Sequence, residues 1–163
     1  ILASLVGSEM CIRDRIKPIH SYGGNDITLI SGKLNLLKIK QILKKHGHIM
    51  CQKFLNKIKF GDKRVFIING KVCGAISRVP KSGSILSNMS KGAKPKIAFL
   101  SNKELKVSNI IAKKIKKDGI YFAGIDFIDG KLNGDINVTS PTGIKTYFDL
   151  SQINLAKTFW KGL

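Results

Sequence analysis

Two arginines and a cluster of acidic residues are the side chains in this sequence most able to do chemistry. Lysine outnumbers arginine 25 to 4, and after residue 15 only Arg64 and Arg78 remain. They stand at the two ends of the stretch RVFIINGKVCGAISR. In a chain that uses lysine almost everywhere, an arginine suggests a need for its planar five-donor fork. Such a fork grips a carboxylate or phosphate through two parallel bonds, or makes an ordinary salt bridge. Acidic residues are as scarce: eight follow residue 15, and Asp126, Asp129 and Asp135 fall within ten residues of one another. A two-residue turn at either Asp129-Gly130 or Gly130-Lys131 puts Asp126 and Asp135 on one face of a hairpin, and Asn137, two residues along, shares that face. Two carboxylates and an amide oxygen form a hard-oxygen set suited to Mg²⁺. The same spacing also fits polar hairpin positions facing solvent. Asp129 reads as the turn residue.

These residues need strands and helices to hold them. ITLIS (27–31) reads as a strand, and LNLLKIKQILKKHG carries an apolar stripe at Leu36, Leu37, Ile39, Ile42 and Leu43 that Gly47 ends, a helical pattern. IMCQKFL reads as the next strand. Two strand-like runs flank Asn69-Gly70, the strongest short hairpin signal, and pairing Ile68 with Lys71 about that turn places Arg64 near Gly74 and Ala75, with Arg78 beyond. Residues 80–98 are rich in Ser, Gly, Lys and Pro without periodicity and read as one long loop, either a functional lid or a disordered segment. Ser101 and Glu104 form a capping box before an amphipathic helix stopped by Gly119. IYFAGIDFI and DINVTS read as strands, and a final helix of about ten residues is expected from about Ser151. The fold class is α+β, with mostly antiparallel strands and flanking helices.

Composition narrows the function classes. The net charge is +19 and the pI about 10.1, which raises a basic nucleic-acid-binding module as one alternative. Against it, 25 Lys, 24 Ile and 10 Asn, all with AT-rich codons, tie the charge to genome composition, and aromatic residues make up only 7%. No RNA-binding motif interleaves aromatic and basic residues. No partner nucleic acid and no membrane are expected. Cys51 and Cys73 make no metal spacing and no CxxC pair, and read as small core residues of a reduced, cytoplasmic compartment.

The first fifteen residues differ in composition from the rest. LVGSEMCIRDR resembles an in-frame translation of a sequencing-library adapter, so residues 1–15 are set aside from the fold. Residues 16–163 are taken as the native portion, a fragment entering mid-protein.

KPIHSYGG, CQKFL, GDKR, SRVP, GIDFI and DINVTSPTG, in that order from Lys17, resemble the ATP-grasp portion of prokaryotic glutathione synthetase. The most specific of these motifs is DINVTSPTG. The resemblance implies the C-terminal part of an ATP-grasp fold, without the N-terminal domain or the upstream half of the ATP-grasp domain, and therefore an inactive fragment on its own. It implies an ATP-dependent carboxylate-amine ligase joining γ-glutamylcysteine to glycine through an acyl phosphate, with ATP and Mg²⁺ or Mn²⁺ as cofactors, working as a homo-oligomer at full length. Another ATP-grasp ligase, joining peptides or D-alanine, is the alternative. By this resemblance Lys17 reaches the nucleotide phosphates, and Gln52, Phe54 and Leu55 sandwich and read adenine. Asp62 lies near ATP, Arg64 near the peptide carboxylate, and Arg78 holds the acyl phosphate. Asp126, Asp135 and Asn137 match the magnesium ligands. The family commonly has Glu where Asp135 stands, with one residue fewer between the two acidic ligands. The loop from Pro80 to Pro95 becomes the lid, with Gly83 and Gly92 as hinges.

Overall fold

The computed structural model describes residues 14–20, 26–30, 36–84 and 86–162, and of residues 14 and 133–135 the backbone alone. The chain divides after Asn56 into two compact units.

In the first unit, strand β1 (Asp14–Pro18) lies between β2 (Thr28–Ile30) and β3 (Ile49–Lys53), both antiparallel to it. β1 thus takes in Asp14 and Arg15, on the near side of the boundary placed at Ile16. Helix α1 (Leu36–His46) buries Ile39 and ends at Gly47, whose N–H donates to the Leu43 carbonyl at 2.7 Å. Gly47 sits at φ 70°, the left-handed conformation that lets a chain leave a helix.

The second unit is a five-stranded antiparallel sheet in the order β6-β5-β4-β7-β8. Its centre is the hairpin β4 (Asp62–Ile68) and β5 (Lys71–Val79), joined at Asn69-Gly70. Both turn residues have positive φ, 49° and 71°, as a type I′ turn requires. β7 (Phe122–Ile128) pairs with the other side of β4, and β8 (Lys131–Asn137) with β7. Asp129 and Gly130 form the β7–β8 turn with φ of 51° and 70°, so Asp129 is the turn residue.

Alternation along β4 divides the sheet into two faces. Val65 and Ile67 join Ala75, Ala123, Ile125 and Phe127 against Ala112 and Ile115 of α2 (Asn102–Lys117). Phe66 and Ile68 join Ile76 beneath Tyr147 of α3 (Ile144–Ser151) and Leu155 of α4 (Leu155–Trp160). Gly74 gives Tyr147 its seat: a Cβ there would come within 2.5 Å of the ring. Helix α2 opens with the expected box. The Glu104 N–H donates to Ser101 Oγ at 3.3 Å, and the Ser101 N–H donates to Glu104 Oε2 at 2.8 Å.

Four readings change. The span 80–98 is not loop throughout, because β6 (Lys94–Ile97) pairs with β5 along the sheet edge, where Pro95 removes no ladder bond from a central strand. The C-terminal stretch folds as two helices rather than one, and the second starts at Leu155, where the Asn154 side chain accepts from the Lys157 N–H at 2.9 Å. Cys51 is exposed on β3, and Cys73 is only half-buried, so neither is a core residue. Finally, Arg64 pairs with Ile76, not with Gly74 or Ala75. Phe66 faces Gly74 and Ile67 faces Val72, so Cys73 is an extra residue, a bulge that advances the register by one.

Candidate active site

The register places four charged residues together at one end of the second unit's sheet. Asp62 faces Arg78 across β4 and β5, and Arg64 faces Asp126 across β4 and β7. Asp62 and Arg64 alternate onto the face of Phe66 and Ile68, so the polar row continues that apolar face to the end of the sheet. Gly61 permits the close start of β4. Its φ is 102°, and a Cβ there would lie 2.8 Å from the Arg78 carbonyl oxygen.

The side chains close a continuous chain of charge-assisted hydrogen bonds. Arg64 Nε donates to Asp126 Oδ1 at 2.8 Å and its Nη2 to Asp126 Oδ2 at 2.7 Å. Arg78 Nε donates to Asp62 Oδ1 at 2.8 Å, and its Nη2 donates both to Asp62 Oδ2 at 2.5 Å and to Asp126 Oδ2 at 2.9 Å. Ser87 Oγ donates to Asp62 Oδ2 at 2.5 Å. All four charged residues are at most 7% exposed. Burying ions is costly unless each is paired, and here two cations meet two anions through forked bonds.

The environment sets the protonation of the row. Burial works to raise the Asp126 carboxyl, but the Arg64 hydrogen bond and the charges of both arginines outweigh it and hold Asp126 below the usual range. Burial lowers Arg78, yet the Asp62 hydrogen bond and the two carboxylates raise it above its ordinary value. Asp62 moves upward, because burial exceeds the opposing pull of Arg78 and Ser87. The row is thus a fixed pair of forks, each already orienting donors beside a water-poor face.

The predicted magnesium set is only partly within view. Asn137 faces Gly124, two residues from Asp126 on the same face of β7. Its Oδ1 accepts from the Ser140 N–H at 3.0 Å and the Thr139 N–H at 3.2 Å, so it shapes the VTSPTG turn. The Asp135 side chain lies outside the described residues. Between Ile125↔Ile136 and Phe127↔Leu132, β7 runs one residue where β8 runs three, an irregularity that the even hairpin of the sequence reading lacks. Among the described residues no three His, Cys, Asp or Glu side chains group as a metal cluster. Of this set Asp126 keeps an acceptor site that suits Mg²⁺, while both lone pairs of Asn137 Oδ1 are engaged in the turn. Asp126 accepts three hydrogen bonds from the arginines, and a carboxylate offers about four lone-pair sites, so one on Oδ1 remains.

The remaining predicted residues belong to the first unit. Lys17 pairs with Met50 across β1 and β3, and Gln52 pairs with Arg15, whose Nη2 donates to Gln52 Oε1 at 3.0 Å. Lys17 and Gln52 therefore share one face of that small sheet. Phe54 and Leu55 follow β3 and are half-buried.

Comparison with known proteins settles the family. Residues 10–152 match the model of the prokaryotic glutathione synthetase ATP-grasp domain. The chain belongs to the prokaryotic glutathione synthetase ATP-grasp family. A glutathione synthetase from Synechocystis is 33% identical over 145 residues, which are 87% of this chain and 45% of that relative. The chain therefore spans under half the length of this curated family relative. A D-alanine–D-alanine ligase from Bacillus anthracis, solved with ATP, superposes with a TM-score of 0.63 over 98% of this chain and 53% of its own, at 14% identity. An ATP-grasp ligase solved with Mg and ADP superposes with a TM-score of 0.56 over 99% of this chain and 47% of its own, at 16% identity. These two likenesses establish the ATP-grasp fold.

Two residues that touch the charged row had no role in the sequence reading. Thr142 in DINVTSPTG brings its carbonyl and hydroxyl oxygens to 3.5 and 3.4 Å from Arg64 Nη1. Its motif was the available signal. Ser87 lies in the Ser-rich span after Pro80, where nothing in the sequence marks one serine over another.

Proposed function

We propose that this chain carries the phosphate-handling part of an ATP-dependent carboxylate-amine ligase that joins γ-glutamylcysteine to glycine. The observation that supports it best is the buried row Asp62–Arg78–Asp126–Arg64, with two forks of the geometry that grips carboxylates and phosphates.

The cysteinyl carboxylate attacks the γ-phosphorus of ATP and ADP leaves, giving an acyl phosphate. Arg64 orients the peptide carboxylate and Arg78 grips the phosphoryl oxygens. Glycine's amine then attacks the acyl carbon, Arg78 stabilises the oxyanion, and phosphate departs with the former carboxylate oxygen. Lys17 is assigned to the nucleotide phosphates, Gln52, Phe54 and Leu55 to adenine, and Asp62 to holding Arg78 beside ATP. Asp126 and Asp135, joined by Asn137 once its oxygen is released from the turn, would hold Mg²⁺, or Mn²⁺ in its place, which when bound neutralises phosphate charge. The segment from Pro80 to Pro95 excludes water from the acyl phosphate, turning at Gly83 and Gly92, both of positive φ. We place the enzyme in the cytoplasm, where free Cys51 and Cys73 stay reduced, and take it to work as a homo-oligomer. Among the described residues no helix is long and apolar enough to cross a membrane.

The test is a substrate panel with the protein at the length of its relatives. Phosphate release that requires both γ-glutamylcysteine and glycine supports this reading; release driven by D-alanine alone would replace it with the D-alanine reading.

A further inference from the structure

We propose that Ser87 is a positioning residue that sets the aim of Arg78 through Asp62, and so couples the 80–93 segment to the phosphate-gripping fork. The inference rests on the assignment of Arg78 above.

The segment leaves β5 at Val79 and returns at Lys94, and these two residues pair across the strands. At its base it is therefore fixed. Farther out, a Cβ added at Gly83 would meet nothing within 4 Å, so the space a side chain would take there is open. Between these, Ser87 turns inward and is 8% exposed. Its hydroxyl is the described link from the middle of the segment to the charged row.

The atom that it reaches matters. Asp62 Oδ2 accepts from Ser87 Oγ and from Arg78 Nη2, both at 2.5 Å. That same Arg78 nitrogen reaches across to Asp126 Oδ2 at 2.9 Å. One carboxylate oxygen thus shares its lone pairs between the segment and the guanidinium. If the hydroxyl leaves, Asp62 Oδ2 is free to take Arg78 alone, and the fork swings about its Nε–Oδ1 bond away from Asp126. A segment that lifts off does the same. Arg78 is therefore aimed when the segment is seated and loosened when it is not.

The chain has four arginines, so their Nε–H signals can be assigned by ¹⁵N NMR. In Ser87→Ala, the Arg78 Nε–H signal should shift as the fork turns, and exchange of its Nη2 hydrogens, freed from Asp126, should quicken about tenfold, the scale of one lost hydrogen bond to a charged group. Amides of residues 86–93 should loosen with it, while Arg64 Nε–H and the amides of β4 hold. Ser87→Thr, which keeps the hydroxyl, should restore both. The proposal is overturned if Arg78 is unmoved in Ser87→Ala, if Ser87→Thr fails to restore it, or if β4 amides loosen equally. Should Ser87→Ala not fold, Ser87→Cys, a weaker donor, must move Arg78 in the same direction, and an unmoved Arg78 there also overturns it. Adding inorganic phosphate to the unmodified chain tests the separate ligase reading, since an unmoved Arg78 signal there counts against phosphate gripping and leaves the Ser87 coupling intact.

Discussion

Arg64 and Asp126 stand directly opposite on neighbouring antiparallel strands and close a two-pronged ion pair of 2.8 and 2.7 Å, buried beneath the sheet's polar end. The carboxylate is shared, because Arg78 also donates to it. Asp126→Asn would leave two buried guanidiniums short of their counter-charge. The expected cost is about 3–5 kcal/mol of folding stability, read as a lowered urea midpoint at unchanged slope.

Arg78→Lys keeps the charge but gives up the fork that grips Asp62 through two atoms. In the protein at the length of its relatives, kcat should fall by about 10²–10³, as for loss of an oxyanion donor. The KM for ATP should change little, and steady-state kinetics will show which parameter moves.

Glu104 gives the clearest pH dependence. Burial works to raise it, but Lys63 at 2.8 Å and the Ser101 N–H and hydroxyl outweigh this and lower its carboxyl from the ordinary 4.5. A depressed folded-state value contributes stability that is present above the unfolded value and is lost as pH falls through the folded one. The stability gap between the unmodified chain and Glu104→Gln should therefore be full near neutrality and close progressively below about pH 4.5. Urea melts at several pH values measure it.

Gly74→Ala would push a methyl to 2.5 Å from the Tyr147 ring that packs edge-on to Phe66. Overpacking should cost about 1–3 kcal/mol, seen as a lower melting temperature. Replacing Gly83, which has open space around it, should cost only the strain of its positive φ.

The legible parts of the fold were those whose cues are local. Asn69-Gly70 specifies its turn through two positive φ values, and Ser101 with Glu104 specifies a helix start within four residues. The face shared by Asp126 and Asn137 follows from hairpin parity alone, whereas Arg64 joins it only through the β4–β7 register. The bulge at Cys73 left no trace, since a single inserted residue has no composition of its own. Strand β6 is four residues of lysine, proline and isoleucine inside a loop-like span, too short for a period to show. Helix α3 starts at Gly143 without a side-chain cap, so it lacked the signal that betrayed α2. The salt-bridged state of Asp126 was equally hidden, because partner choice among four charges is decided by register and not by spacing along the chain.

The handing of a phosphate to a carboxylate is open to direct measurement. With γ-glutamylcysteine carrying ¹⁸O in its cysteinyl carboxylate, ATP and glycine, the protein at the length of its relatives should release phosphate bearing one ¹⁸O atom, because the bridging oxygen of the acyl phosphate leaves with phosphorus. Unlabelled phosphate formed alongside the peptide product would contradict the acyl-phosphate route, and with it the role given to Arg78.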